Sequence, residues 1–127
     1  MLQVIQTDQA PAPIGSYSQA IKAGKIVYLS GQIPLDPKSM QVVEGDITLQ
    51  VTTVFENLKA VAEAAGGSLD QIVRITVYLI NMTDVTVVNE IMKTYFQKTF
   101  PARTTIGVSA LPKAVSVEID AIMVVDN

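Results

Sequence analysis

Two charged residues near the C-terminal end carry the most chemistry this chain can offer. Arg103 stands in Pro101-Ala102-Arg103-Thr104-Thr105 and Glu118 in Val117-Glu118-Ile119, with a turn at Leu111-Pro112-Lys113 between them. An arginine can clamp a small carboxylate through two parallel hydrogen bonds, a geometry lysine does not reproduce. A glutamate in a partly desolvated setting gains proton affinity and can position a water or take its proton. The pair matters more because the sequence holds no histidine and no cysteine. Histidine bases, thiolate nucleophiles and the common zinc ligands are therefore absent.

Spacing alone favours a plainer reading of both residues. Arg103 would pair with Glu118 or Asp120 across neighbouring strands, and the two acids would otherwise be solvated strand residues. Thr105 offers a donor beside Arg103, although β-propensity alone explains most strand threonines. Two loops could complete a site: Gly15-Ser16-Tyr17-Ser18 presents a phenol, and Ser30-Gly31 ends a strand with a glycine that lets backbone approach a ligand. Each has a packing or turn alternative. Asn89, on a helix, is either solvated or an amide that orients a ligand.

These residues must be positioned by strands and helices that the pattern predicts. Ile47, Val51, Val54, Phe55, Leu58, Val61, Ala62 and Ala65 recur at steps of three and four, so 46–65 reads as a helix with Asp46 as N-cap and Gly66-Gly67 as stop. A second helix fits 84–98, capped by Thr83 or Asp84, and Pro101 forbids its continuation. Strands are predicted at Ile26–Leu29, Ile72–Ile80, Thr104–Val108 and Val115–Val124, with shorter ones at Leu2–Ile5 and Ser18–Lys22. Residues 10–15 and 34–38 are proline-bearing loops. The order β-β-β-α-β-α-β-β predicts an α+β sandwich, a mixed sheet with two helices on one face. Alternation in the last strand sends Val117, Ile119, Ala121 and Met123 to the core and Ser116, Glu118, Asp120 and Ile122 to the other face. The turn at Leu111-Pro112 predicts antiparallel pairing of the last two strands, with Thr105 facing Glu118 and Arg103 facing Asp120 on one face.

Composition bounds the partners. The chain has 127 residues, one domain's worth, with 49% hydrophobic and 17% charged residues, lean in charge for a small monomer. An oligomer is expected, its interface on the apolar face beside Glu118 and Asp120. The net charge of -3 disfavours sequence-independent nucleic-acid binding. Neither a signal peptide nor a membrane span is legible, so no membrane partner and a cytoplasmic location are expected. Neither phosphate-binding glycine fingerprint occurs.

Together the segments Ala12-Pro13-Ile14-Gly15-Ser16-Tyr17-Ser18-Gln19-Ala20, Ser30-Gly31-Gln32-Ile33-Pro34-Leu35-Asp36-Pro37, Asn57-Leu58, Val88-Asn89, Pro101-Ala102-Arg103 and Leu111-Pro112-Lys113 with Val117-Glu118-Ile119 resemble the RidA/YjgF family of enamine/imine deaminases over nearly the whole chain. The resemblance implies a chorismate-mutase-like α+β fold, assembled as a homotrimer with clefts at subunit boundaries. It implies hydrolysis of 2-imino acids, such as 2-aminoacrylate, to 2-keto acids and ammonium, with no cofactor and no metal. On that pattern Arg103 binds the substrate carboxylate and Glu118 manages the attacking water. Tyr17, Ser30, Gly31, Asn89 and the backbone around Thr105 line the cleft, some from the adjacent chain. A non-catalytic carboxylate-binding trimer is the alternative, and a ribonuclease or translation inhibitor a more distant one. Two positions depart from the pattern: Thr105 stands where many relatives carry cysteine, and Ser16 where proline is common before Tyr17.

Overall fold

The computed structural model of the chain describes residues 1–126. In chain order the elements are β1 (Leu2–Ile5), β2 (Ala20–Ala23), β3 (Ile26–Gln32), α1 (Ile47–Ala64), β4 (Ile72–Leu79), α2 (Val85–Tyr95), β5 (Ala102–Gly107) and β6 (Val117–Val124). The strands form one six-stranded mixed sheet in the order β1-β2-β3-β6-β4-β5. β4 and β5 run parallel, and the other neighbours antiparallel. Both helices cover one face, as the element order predicts.

α1 forms where the apolar stripe predicts it, and both ends are closed by the expected residues. The Asp46 carboxylate accepts from the Leu49 N–H at 3.0 Å, satisfying one orphan donor of the first turn. At the other end Gly66 takes φ +87°. Its N–H reaches the Glu63 carbonyl, and the Gly67 N–H the Ala62 carbonyl, each at 3.0 Å. That double closure needs the left-handed conformation glycine adopts without strain. The buried stripe of Val51, Val54, Phe55, Leu58, Val61 and Ala62 packs with Val27, Leu29, Ile75, Val77 and Ile119 from the sheet.

α2 is shorter than its periodicity predicts. It is entered through a 3₁₀ turn, Met82–Asp84, in which the Asn81 side chain accepts from the Thr83 N–H at 3.1 Å; Asp84 makes no side-chain cap. It stops at Tyr95 because Phe96 turns extended and drops into the core. There Phe96 meets Phe55 edge-on at 5.9 Å, while Tyr95 stacks on Phe55 at 5.3 Å. Burying Phe96 outweighs another helical turn.

The antiparallel pairing expected between the last two strands does not occur. β4, α2 and β5 form a strand-helix-strand unit, and such a crossover returns the chain parallel to its first strand. β5 therefore lies on one edge of β4, with Ile75 opposite Arg103 and Val77 opposite Thr105. Residues 108–116 then carry the chain past the end of β4, so β6 joins its other edge and pairs Tyr78 with Glu118 and Thr76 with Asp120. Arg103 and Thr105 share the helix-covered face with Ile75 and Val77. Glu118 and Asp120 share the open face with Tyr78 and Thr76. A hairpin between β5 and β6 would put all four on one face; within one chain they lie on opposite faces.

Phe55 joins α1, Tyr95 and Phe96, and it has no solvent exposure. Phe55→Ala is expected to lower unfolding stability by about 3–5 kcal/mol, read from the shift in denaturant midpoint; a loss below about 1 kcal/mol would mean that α2 is held by other contacts.

Candidate functional site

Glu118 owes its setting to a bulge in β3. Leu29 pairs with Ala121 but Gln32 with Ile119, so one extra residue is inserted at Ser30-Gly31, and bulges of this kind re-aim side chains. Gly31 is required there: a Cβ at this position would stand 2.9 Å from the Glu118 carboxyl carbon and overlap its oxygen. Its role is to admit the Glu118 side chain beneath the bulge. Burial, and secondarily the neighbouring Asp120 charge, push the Glu118 carboxyl above the ordinary glutamate range. Asp120 in turn accepts from the Tyr78 hydroxyl at 2.9 Å. Burial, then the Asp120 bond and charge, raise the Tyr78 phenol as well.

Tyr17, Ser30, Gly31 and Glu118 line one cavity of about 250 Å³, completed by Ile14, Ile33 and Pro112. The Ser30 hydroxyl donates to the Ser18 carbonyl at 2.6 Å, and the Tyr17 oxygen accepts from the Ile14 N–H at 3.2 Å. Two buried amides hold these loops. Gln19, 2% exposed, donates to the carbonyls of Thr7, Ala10 and Pro11 and accepts from the Thr7 N–H. Asn57 donates to the carbonyls of Ile33 and Leu35. Neither was legible as a support, although both fall in the segments that carry the resemblance. A polar amide amid apolar neighbours is the signal, because burial requires its hydrogen bonds to be met inside the protein.

Arg103 lines a second cavity, of about 480 Å³, with Asn89, Met92, Phe100 and Pro101. Its Nη1 donates to Asn89 Oδ1 at 2.7 Å and approaches Met92 Sδ at 3.4 Å. Both acceptors are neutral, so the cross-strand ion pair that spacing favoured is replaced by a guanidinium held on its Nη1 side. Asn89 therefore contacts Arg103 directly, and Met92, one helical turn on, is a contact the sequence reading missed. The Thr105 hydroxyl oxygen is buried, with no hydrogen-bond partner among the described residues. Lys93 at the rim pairs with Glu90 at 2.8 Å. Among the described residues no group of three or more acids, histidines or cysteines could hold a metal ion, and no helix is long and apolar enough to cross a membrane.

One chain thus presents two half-sites, a carboxylate beside a phenol and a guanidinium beside an amide. The family model described as Endoribonuclease L-PSP matches residues 7–125. The chain belongs to this family, the RidA/YjgF proteins. It is 52% identical to a RutC family protein of Pyrococcus horikoshii over 122 residues, 96% of this chain and 97% of that one. It is 43% identical to the 2-iminobutanoate/2-iminopropanoate deaminase of Dermatophagoides farinae, with 98% and 97% covered. The crystal structure of RidA from the Antarctic bacterium Psychrobacter superposes with a TM-score of 0.94 at 47% identity, covering 97% of this chain and 99% of that one. The Psychrobacter protein therefore shares this fold.

The Glu118 environment has a stability consequence. A carboxyl whose folded pKa is raised favours folding below its unfolded pKa and loses that contribution as pH rises through the folded value. Glu118→Gln removes a penalty that exists only when the acid is ionised. The variant is expected to melt above the parent at pH 7, with the difference shrinking to nothing below about pH 4; a Tm difference independent of pH would contradict this assignment.

Proposed function

We propose that this protein hydrolyses reactive 2-imino acids, such as the imine tautomer of 2-aminoacrylate, to 2-keto acids and ammonium. The observation that carries the reading is a guanidinium with no ion pair among the described residues in one cavity and a proton-avid carboxylate in another, on a scaffold shared with a relative named for this activity. We infer further that the protein works as a homotrimer, each cleft taking Arg103 and Asn89 from one chain and Glu118, Tyr17, Ser30 and Gly31 from its neighbour. Supporting this, the open sheet face exposes Leu2, Val4, Ile26, Tyr28, Ile106 and Val124, an apolar surface that a second copy would cover.

In this mechanism Arg103 binds the substrate carboxylate. Asn89 and Met92 occupy Nη1, and among the described residues nothing takes the Nε–Nη2 edge, which offers two parallel donors to a carboxylate. The imine carbon is already electrophilic and needs orientation more than activation. Water adds to it as Glu118 takes the water proton and the nitrogen gains one. The resulting carbinolamine collapses to the keto group as its C–N bond breaks, and ammonia leaves and is protonated to ammonium. Tyr17 and Ser30 border the space where water attacks. Thr105 contributes through its backbone beside Arg103, and no sulfur is needed at that position. The reaction calls for no cofactor or metal. The RNA cleavage named in the family description has less support here, because a chain of net charge -3 with Glu118 and Asp120 together offers little to a phosphate backbone.

The test is 2-keto acid release from freshly generated 2-aminoacrylate. The protein is expected to accelerate it, and Arg103→Ala to reduce the acceleration on the order of hundredfold or more. Equal rates with and without protein would sink the reading, and keto-acid binding by calorimetry without turnover would favour a carboxylate-binding module. A sedimentation mass three times the 13.7 kDa chain is expected.

A further inference from the structure

A third cavity, of about 790 Å³, runs along the outward side of α1 and shares no lining residue with either half-site cavity. Its floor is a helical stripe: Leu49, Thr52, Glu56, Ala60 and Glu63 follow at steps of three and four. From Leu49 to Ala64 that stripe extends about 22 Å, at about 1.5 Å per residue. The loop bearing Asp36 and Pro37 walls one side. The space is therefore a groove suited to an extended molecule rather than a compact one.

Asn57 is the telling residue in its lining. It is 2% exposed, and its Nδ2 donates to the carbonyls of Ile33 and Leu35 at 3.4 and 3.0 Å. Both amide hydrogens are thus spent on the loop, and the edge left to the groove is Oδ1, which has no donor among the described residues. A buried acceptor without a donor calls for one from outside the chain. Glu56 is held ready beside it: the Tyr95 hydroxyl donates to Oε2 at 2.6 Å, and Tyr95 is itself stacked on Phe55. The other Glu56 oxygen remains open.

Charge narrows the ligand class. Asp36, Glu56 and Glu63 line the groove against one cation, Lys59, and none of the four is in an ion pair among the described residues. The acids do not converge, since among the described residues no group of three could hold a metal ion. Glu56 and Glu63 stand about 10.5 Å apart along the helix. Separated carboxylates with an apolar floor between them match separated ammonium groups joined by methylenes.

We propose that this groove binds a linear polyamine, with its ammonium groups against Asp36, Glu56 and Glu63 and its methylenes along Leu49, Ala60 and Ala64. Asn57 Oδ1 accepts one of its N–H groups. The site is independent of the imine-hydrolase reading and stands or falls apart from it.

The test is calorimetry with spermidine on the full chain at about 150 mM salt, where diffuse attraction is largely screened. One spermidine per chain is expected, in a saturable isotherm. Glu56→Gln and Glu63→Gln are each expected to weaken it about fivefold. Asp84→Asn makes the same charge change outside the groove and is expected to leave binding unchanged. Butylamine, whose single ammonium reaches one carboxylate, is expected to bind at least about tenfold more weakly. Melting without amine establishes that each variant is folded, and if one is not, the comparison of the two amines on the parent decides. The absence of saturable binding, equal weakening by Asp84→Asn, or equal affinity for butylamine would each overturn the proposal.

Discussion

Backbone pairing along β4 governs the rest of this structure. The strand accepts β5 in parallel on one edge and β6 antiparallel on the other. Because side chains alternate across a strand, those two registers fix which residues of β5 and β6 share a face. Arg103 and Thr105 are committed to the helix-covered face, where α2 supplies Asn89 and Met92. Glu118 and Asp120 are committed to the open face, beneath the β3 bulge. No side-chain rotation undoes this separation. A one-residue slip would, but it would also expel Ile119 and Ala121 from the core. The hydrophobic alternation that folds the sheet is thus the constraint that divides the proposed chemistry between chains.

Each half-site keeps a polar group in a setting that does not maximise stability. Glu118 is desolvated beside a like charge, and Arg103 carries its charge against an amide and a thioether. A cross-strand ion pair would have satisfied both at little cost. The surrounding fold contributes rigid supports instead: Gln19 and Asn57 tie the loops that flank the carboxylate, and the Phe55, Tyr95 and Phe96 cluster anchors the helix that aims the guanidinium. Unmatched charges held by a well-satisfied scaffold are what a ligand site requires, because the ligand completes the pairing.

The local fold was largely legible in the sequence. The stripe in α1, its Asp46 cap, the Gly66-Gly67 stop and the alternation of β6 all follow from short-range physics, and short-range physics fixes them in the structure. What misled was long-range pairing. The turn at Leu111-Pro112 looked like a hairpin, whereas the strand-helix-strand unit before it sends β5 to the far edge of β4, so adjacency in sequence did not mean adjacency in the sheet. Within the site, Arg103 and Glu118 drew notice as charged residues on apolar strands. Asn89 lies against Arg103 in the same cavity lining, and Gly31, in the lining of the other cavity, also leaves room for the Glu118 side chain. Met92 and Gln19 went unnoticed, since a methionine on a core stripe and a glutamine in a loop look ordinary until their partners in space are known.

The central claim is that Arg103 and Glu118 meet only across a chain boundary, and mixing inactive variants tests it most directly. Arg103→Ala and Glu118→Gln would be unfolded together, refolded as an equal mixture, and assayed for imine hydrolysis. If each cleft draws its arginine from one chain and its glutamate from the next, random assembly leaves about a quarter of the clefts with both residues, and the mixture regains about that share of parental activity. If the two residues act within one chain, no mixed assembly contains an intact site, and a mixture as inactive as its components would contradict the account.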